Sequence, residues 1–136
     1  MLRKMALLFG LIFIAAGVAG FFLLNPAGPG STGHSLSMDH GEGMLLGLFP
    51  VNTLHNAVHI LFGVYALAAS RSAGGAQGFF KFLFIAYAFL AILGLIPSTQ
   101  TLFGYVPLHG NDVYLHLGLA LAGLYFGFVH KEGARG

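Results

Sequence analysis

The chain has 136 residues, of which 57% are hydrophobic and only 7% charged. A water-soluble domain of this size needs far more charge to cover its surface, so the composition excludes one. Six basic residues and a net charge of +2, scattered over loops, make no patch for nucleic acid. Cysteine is absent, which excludes disulfides, iron–sulfur clusters, thiolate zinc sites and covalently attached c-type haem.

The apolar residues fall into a few long blocks, the pattern of membrane-spanning helices, and the length allows one domain over residues 1–136. The first block covers residues 5–24 and follows Arg3 and Lys4. It exceeds a secretory apolar region of roughly 7–15 residues and no convincing cleavage site follows, which predicts a retained anchor. Residues 25–43 read as an irregular loop, because Pro26 and Pro29 stop the helix and glycines recur through it.

The second block, residues 44–69, would reach about 39 Å as a straight helix, more than the roughly 30 Å hydrocarbon core. Pro50 divides it, which predicts an interfacial turn over residues 44–49 and a span from about 51 to 69. A turn over residues 71–78 leads to a third span, 79–96, closed by Pro97. A second connecting loop, residues 98–111, leads to a fourth span over 112–129. The expected architecture is all-α: an integral membrane four-helix bundle with both termini cytoplasmic. With the first helix starting inside, Arg3, Lys4, Arg71, Lys81, Lys131 and Arg135 all fall on the inner side, and no Lys or Arg is left outside. Asp39, Glu42 and Asp112 fall outside.

Two polar stripes interrupt this apolar plan. Asn52, His55, Asn56, His59 and Gly63 recur at i, i+3, i+4, i+7 and i+11, one face of the second span. Asp112, His116, Ala120, Gly123 and Gly127 share one face of the fourth. Both polar sets sit at the outer ends of their spans, at matching depth. Imidazoles and amides left to lipid are costly, which predicts that the two sets point inward and face each other.

Several of these residues have plain structural roles. Asn111 or Asp112 is expected to cap the fourth helix and Asn52 the second, a side-chain oxygen accepting from a free backbone N–H. Asn56 suits hydrogen bonding between helices, and the pairs Gly123/Gly127 and Ala16/Gly20 suit close helix approach. Tyr87, within the third span, is expected to donate a hydrogen bond across the bundle. Tyr105 and Tyr114 suit the outer interface and Tyr125 the inner one.

The histidines carry the chemistry. His55 and His59 lie one helical turn apart, which sets two imidazoles about 5–6 Å apart on one face. Two imidazoles so placed can chelate one metal ion, and Asp112 with His116 would complete a four-ligand site for zinc, copper or another imidazole-preferring ion. Three readings compete with a metal. One is a hydrogen-bonded histidine lock on the bundle. Another is a b-type haem, with His116 and one histidine of the second span as axial ligands and room left by Gly63 and Gly123. The third is a His–Asp network that handles protons, as a proton-coupled transport or pH-sensing module.

A second constellation, His34, Met38, Asp39, His40, Glu42 and Met44, lies in the first outer loop. Methionine with histidine suits copper, and histidine with carboxylates suits zinc, but a loop of small polar residues is the expectation there. The chain has no phosphate-binding loop, no dinucleotide fingerprint and no nucleophile with its base, which argues against an enzyme of those classes.

Residues 46–52, Leu-Gly-Leu-Phe-Pro-Val-Asn, continue to His55, Asn56 and His59, and Asn111-Asp112 is followed by Leu115-His116. Together these stretches resemble a family of small bacterial four-span membrane proteins known as domain of unknown function 4383. The likeness runs from the first span to Val129. It implies four spans and a bacterial cytoplasmic (inner) membrane, but no activity, cofactor or catalytic residue. The outer-loop constellation is not part of that pattern. The expected function is that of a small non-enzymatic membrane protein, an accessory or structural component. Its partners are the lipid bilayer and either further copies of itself or a larger membrane complex.

Overall fold

The computed structural model describes residues 1–22, 24–26, 43–46 and 48–131. His34, Met38, Asp39, His40 and Glu42 of the outer-loop constellation lie outside them, as does Arg135. Among the described residues the chain forms four α-helices and three short strands: α1 (Leu2–Phe22), β1 (Leu24–Pro26), β2 (Gly43–Leu45), β3 (Phe49–Val51), α2 (Thr53–Ala69), α3 (Ala73–Leu95) and α4 (Asn111–Leu124). The α4 helix runs on as a π-helical turn, Tyr125–Val129, which the His130 N–H closes on the Tyr125 carbonyl at 2.7 Å. Three helical stretches, Leu2–Phe22, Ala73–Leu95 and Asn111–Val129, are long and apolar enough to cross a membrane, while Thr53–Ala69 is apolar but shorter.

Local chemistry sets the helix limits. Asn52 stands in extended conformation before α2 and its side chain accepts from the His55 N–H at 2.8 Å, as expected of a cap. Ser72 does the same for α3, accepting from Gly75 N–H at 3.0 Å. That cap starts α3 at Ala73 rather than at residue 79, so the turn expected over residues 71–78 shrinks to 70–72. At the far end Ile96 turns extended (ψ 117°) because Pro97 follows it.

The described residues of the stretch read as loop and interfacial turn include three short strands, which form an antiparallel sheet in the order β1-β2-β3. Asn25 stands opposite Met44, and Met44 opposite Pro50. Both prolines of the sheet, Pro26 and Pro50, lie in its outer strands, where a missing N–H leaves no gap in a central ladder.

The helices associate chiefly as two pairs, α1 with α2 and α3 with α4, while α3 also contacts α1 and α2. Glycines make each pair close. A Cβ built on Gly10 would stand 3.0 Å from the Gly63 carbonyl, and one on Gly17 2.7 Å from the Asn56 carbonyl. Gly20 is pressed by the Asn56 amide itself. On the other pair, a Cβ on Gly123 would lie 2.5 Å from the Phe84 nitrogen and one on Gly127 2.9 Å from the Lys81 nitrogen. The expected Gly123/Gly127 motif is therefore a helix contact, and in α1 Gly20 acts with Gly10 and Gly17. The contacts run in opposite directions along each pair, so both pairs are antiparallel. The N-terminus of α1, the α2–α3 turn and the end of α4 consequently lie together, and the starts of α2 and α4 lie at the opposite end.

An aromatic core fills the space between the pairs. Phe13 stacks on Tyr87 (ring centroids 5.9 Å) and meets Phe62 edge-on, while Phe9 meets Phe80 edge-on at 5.4 Å. Phe79, Phe80, Leu83 and Tyr87 are essentially inaccessible. Large apolar side chains also cover the outside, among them Leu11, Leu61, Ile85, Phe89, Leu121 and Phe128.

Gly20→Ala should lower the melting temperature in detergent, by overpacking worth about 1–3 kcal/mol, since the Asn56 amide fills the space. Gly78→Ala, with nothing within 4 Å of its added methyl, should be neutral or stabilise by up to ~1 kcal/mol. Equal melting of the two variants would show that the glycine seam is not a packing constraint.

Candidate functional site

The site lies where α2 and α4 begin. Asn52 does more than cap α2: its Nδ2 donates to the Tyr105 carbonyl at 2.7 Å and ties the 96–110 loop across this end. The loop is tightly turned, with Leu102 (φ 47°) and Phe103 (φ 58°) in left-handed conformations, followed by Gly104 (φ 93°). Its return is set by the Leu108 N–H donating to the Gln100 carbonyl at 2.7 Å, and by Gly94, which lets the Leu108 carbonyl pass where a Cβ would stand.

The α4 helix starts from Gly110 (φ 70°), with no side-chain cap. The capping expected of Asn111 or Asp112 is corrected here, because both residues already stand inside the first turn. Asn111 Nδ2 reaches outward and donates to the Leu48 carbonyl at 2.9 Å, joining α4 to the β2–β3 turn. Asp112 points inward and is 0% exposed.

Around Asp112 the two polar stripes meet. Asp112 Oδ2 stands 3.9 Å from His55 Nδ1, and the His55 and His116 rings are 6.2 Å apart. One ligand atom from each of His55, Asp112 and His116 lies within 4.8 Å of the others. His116 is 1% and His55 5% exposed. His59 stands outside this triplet: its Nε2 lies 3.1 Å from His55 Nε2, a hydrogen bond whose direction follows the tautomers. The α2 and α4 backbones themselves barely touch, so the meeting is made by side chains.

The polar accounting of the cluster is incomplete. His55 Nδ1, both Asp112 oxygens, His116 Nδ1 and Asn56 Nδ2 are buried and make no hydrogen bond among the described residues. Native interiors pair almost every such group, and a buried carboxylate with two empty oxygens is among the most costly exceptions. Asn56 joins α2 to α1 by packing on Gly20, and its Nδ2 donates to nothing among the described residues.

A cavity of about 100 Å³ borders the imidazoles of His55, His59 and His116, with Tyr87, Leu102 and Leu108 among its other walls. Tyr87 packs its ring 5.2 Å from that of His116. The room expected beside Gly63 and Gly123 for a haem macrocycle is taken by neighbouring helices: Ile14 of α1 against Gly63, and the Phe84 backbone of α3 against Gly123.

His55, Asn56, His59, Asp112 and His116 were all legible as inward-facing residues from their spacing. The loop contribution was not, since Leu102, Val106 and Leu108 reach the site through a fold of the 96–110 segment that has no periodicity. The Asn52 tie to Tyr105 likewise left no local signal, because it joins residues far apart in sequence.

No curated protein and no solved structure matches the chain. The sequence model described as Domain of unknown function (DUF4383) matches residues 3–129, which include both polar stripes and every helix from Arg3 onward. The chain belongs to the DUF4383 family.

Proposed function

We propose that this chain is a four-span protein of the bacterial cytoplasmic membrane whose outer half binds one divalent transition-metal ion. Four apolar helices with large apolar side chains outside support the spans. With the π-helical turn counted in α4, the shortest is α2, which covers about 26 Å of the roughly 30 Å hydrocarbon core, and β3 continues the chain beyond it. Arg3, Lys4, Arg71, Lys81 and Lys131 all lie toward the end where α1 starts and α4 finishes, and the positive-inside rule makes that end cytoplasmic.

The observation that carries the metal reading is the uncompensated burial of Asp112 beside two imidazoles whose Nδ1 atoms make no hydrogen bond among the described residues. A divalent cation answers all three at once: it neutralises the carboxylate and uses the lone pairs of His55 Nδ1 and His116 Nδ1. A tetrahedral zinc site holds donors roughly 3.3 Å apart, given bonds of about 2.0–2.2 Å. The triplet would therefore draw in by about an ångström on loading. Two imidazoles and a carboxylate suit zinc or another imidazole-preferring ion, and leave one coordination position to an outside ligand. His59 then orients His55: with Nδ1 on the metal, His55 keeps its proton on Nε2 and donates it to His59 Nε2.

A second reading, a structural histidine lock in an accessory membrane component, is favoured by the His55–His59 hydrogen bond alone. Elemental analysis of tag-free protein purified in mild detergent separates the two. One metal per chain is expected, with complete loss in His116→Ala. His59→Gln should retain the ion at saturation, with affinity lowered about 10-fold or more. A chelator should lower the melting temperature of the wild type and leave that of His116→Ala unchanged. Metal-free protein from metal-replete cells would sink the metal reading, and leave the lock or a proton-carrying cluster.

Orientation has its own test, helped by the absence of cysteine. In intact bacterial cells a membrane-impermeant maleimide should label Ser98→Cys but not Gly74→Cys, both exposed positions at opposite ends. The reverse pattern would invert the topology.

A further inference from the structure

At the end opposite the histidine cluster, α1 and the α2–α3 turn enclose an open cleft of about 580 Å³ lined by Met1, Arg3, Lys4, Leu7, Ser70 and Arg71. Three cations from two separate elements converge on it. Arg3 lines the cleft and is tied to its far wall, its Nε donating to the Ser70 carbonyl at 3.0 Å. Asp112 is the only carboxylate among the described residues and lies at the other end, so no described acid offsets these charges. The cleft also has an apolar exit. Leu7 lines it, and Leu8, Leu11 and Ile12 continue outward along α1 as an exposed strip.

We propose that this cleft is a binding site for the headgroup phosphate of an anionic phospholipid, with an acyl chain lying along Leu8, Leu11 and Ile12. A phosphate diester suits the site because guanidinium groups bind its oxygens by paired, charge-assisted hydrogen bonds, and Lys4 adds a third charge. Basic pockets on the cytoplasmic side of membrane proteins hold lipid headgroups by these same forces. Free phosphate would use the same cations. The apolar strip that leaves the cleft is the feature a lipid uses and a free ion does not. The inference rests on the proposed membrane topology and not on the metal site.

The test is native mass spectrometry of the full chain released from nanodiscs made of equal phosphatidylglycerol and phosphatidylcholine. Phosphatidylglycerol should be retained in preference to phosphatidylcholine. Lys4→Gln/Arg71→Gln, which leaves the Arg3–Ser70 contact in place, should reduce that preference roughly tenfold or more, as each basic residue at an anionic surface contributes about fivefold. The charge-preserving Lys4→Arg/Arg71→Lys should keep it, which separates loss of charge from loss of fold. Equal retention of the two lipids, or an unchanged preference in the glutamine variant, would overturn the site. Displacement of phosphatidylglycerol by millimolar inorganic phosphate would overturn the lipid assignment in favour of a free-phosphate site. Failure of the chain to enter nanodiscs at all would instead refute the membrane reading, and metal content measured on the same samples reports separately on the far end.

Discussion

The close approach of helices at glycine sets the geometry on which the rest of this protein depends. Where Gly10, Gly17 and Gly20 of α1 meet α2, backbone lies against backbone or against the Asn56 amide, and any side chain would force the pair apart. Gly123 and Gly127 do the same between α4 and α3. In lipid there is no hydrophobic force between helices, so such contacts supply much of the association through van der Waals packing. They also fix rotation. With its glycines against α3, α4 turns Asp112 and His116 into the interior, and the same constraint on α2 turns His55 toward them.

Rotation fixed by packing is what makes the polar cluster costly and therefore informative. A carboxylate held at a rigid helix start cannot swing out to water, and Asp112 has no side-chain donor within hydrogen-bonding reach among the described residues. His55 Nδ1 stands 3.9 Å from it, and a neutral imidazole is a common metal ligand as well as a base. The 96–110 loop completes the enclosure. It is held by Asn52 at one point and Gly94 at another, and it accepts left-handed backbone at Leu102 and Phe103 to return over the cluster. Strained backbone of this kind persists where the surroundings over-determine it.

The two ends of the molecule have opposite chemistry for one physical reason. Antiparallel pairing gathers the described Lys and Arg residues at one end, three of them lining an open cleft, and the buried histidines and Asp112 at the other. Charges that remain in water keep their solvation, so Arg3, Lys4 and Arg71 stand at little cost. Asp112 has lost its solvation, and only a bound cation or a proton replaces it.

The helices, their approximate limits and the inward polar faces were determined by the sequence alone, because they follow from properties that repeat along the chain: apolar block length, proline and glycine stops, and a 3.6-residue period. So did the Asn52 cap, which needs only a residue three positions on. What the tertiary structure alone decided depends on residues distant in sequence. It paired residues 24–26, 43–45 and 49–51 into a sheet, brought Asp112 beside His55, and set His59 behind His55 instead of beside the carboxylate. Each of these turns on how far apart two elements come to rest. That distance is set by where glycines let backbones touch, which no local period records.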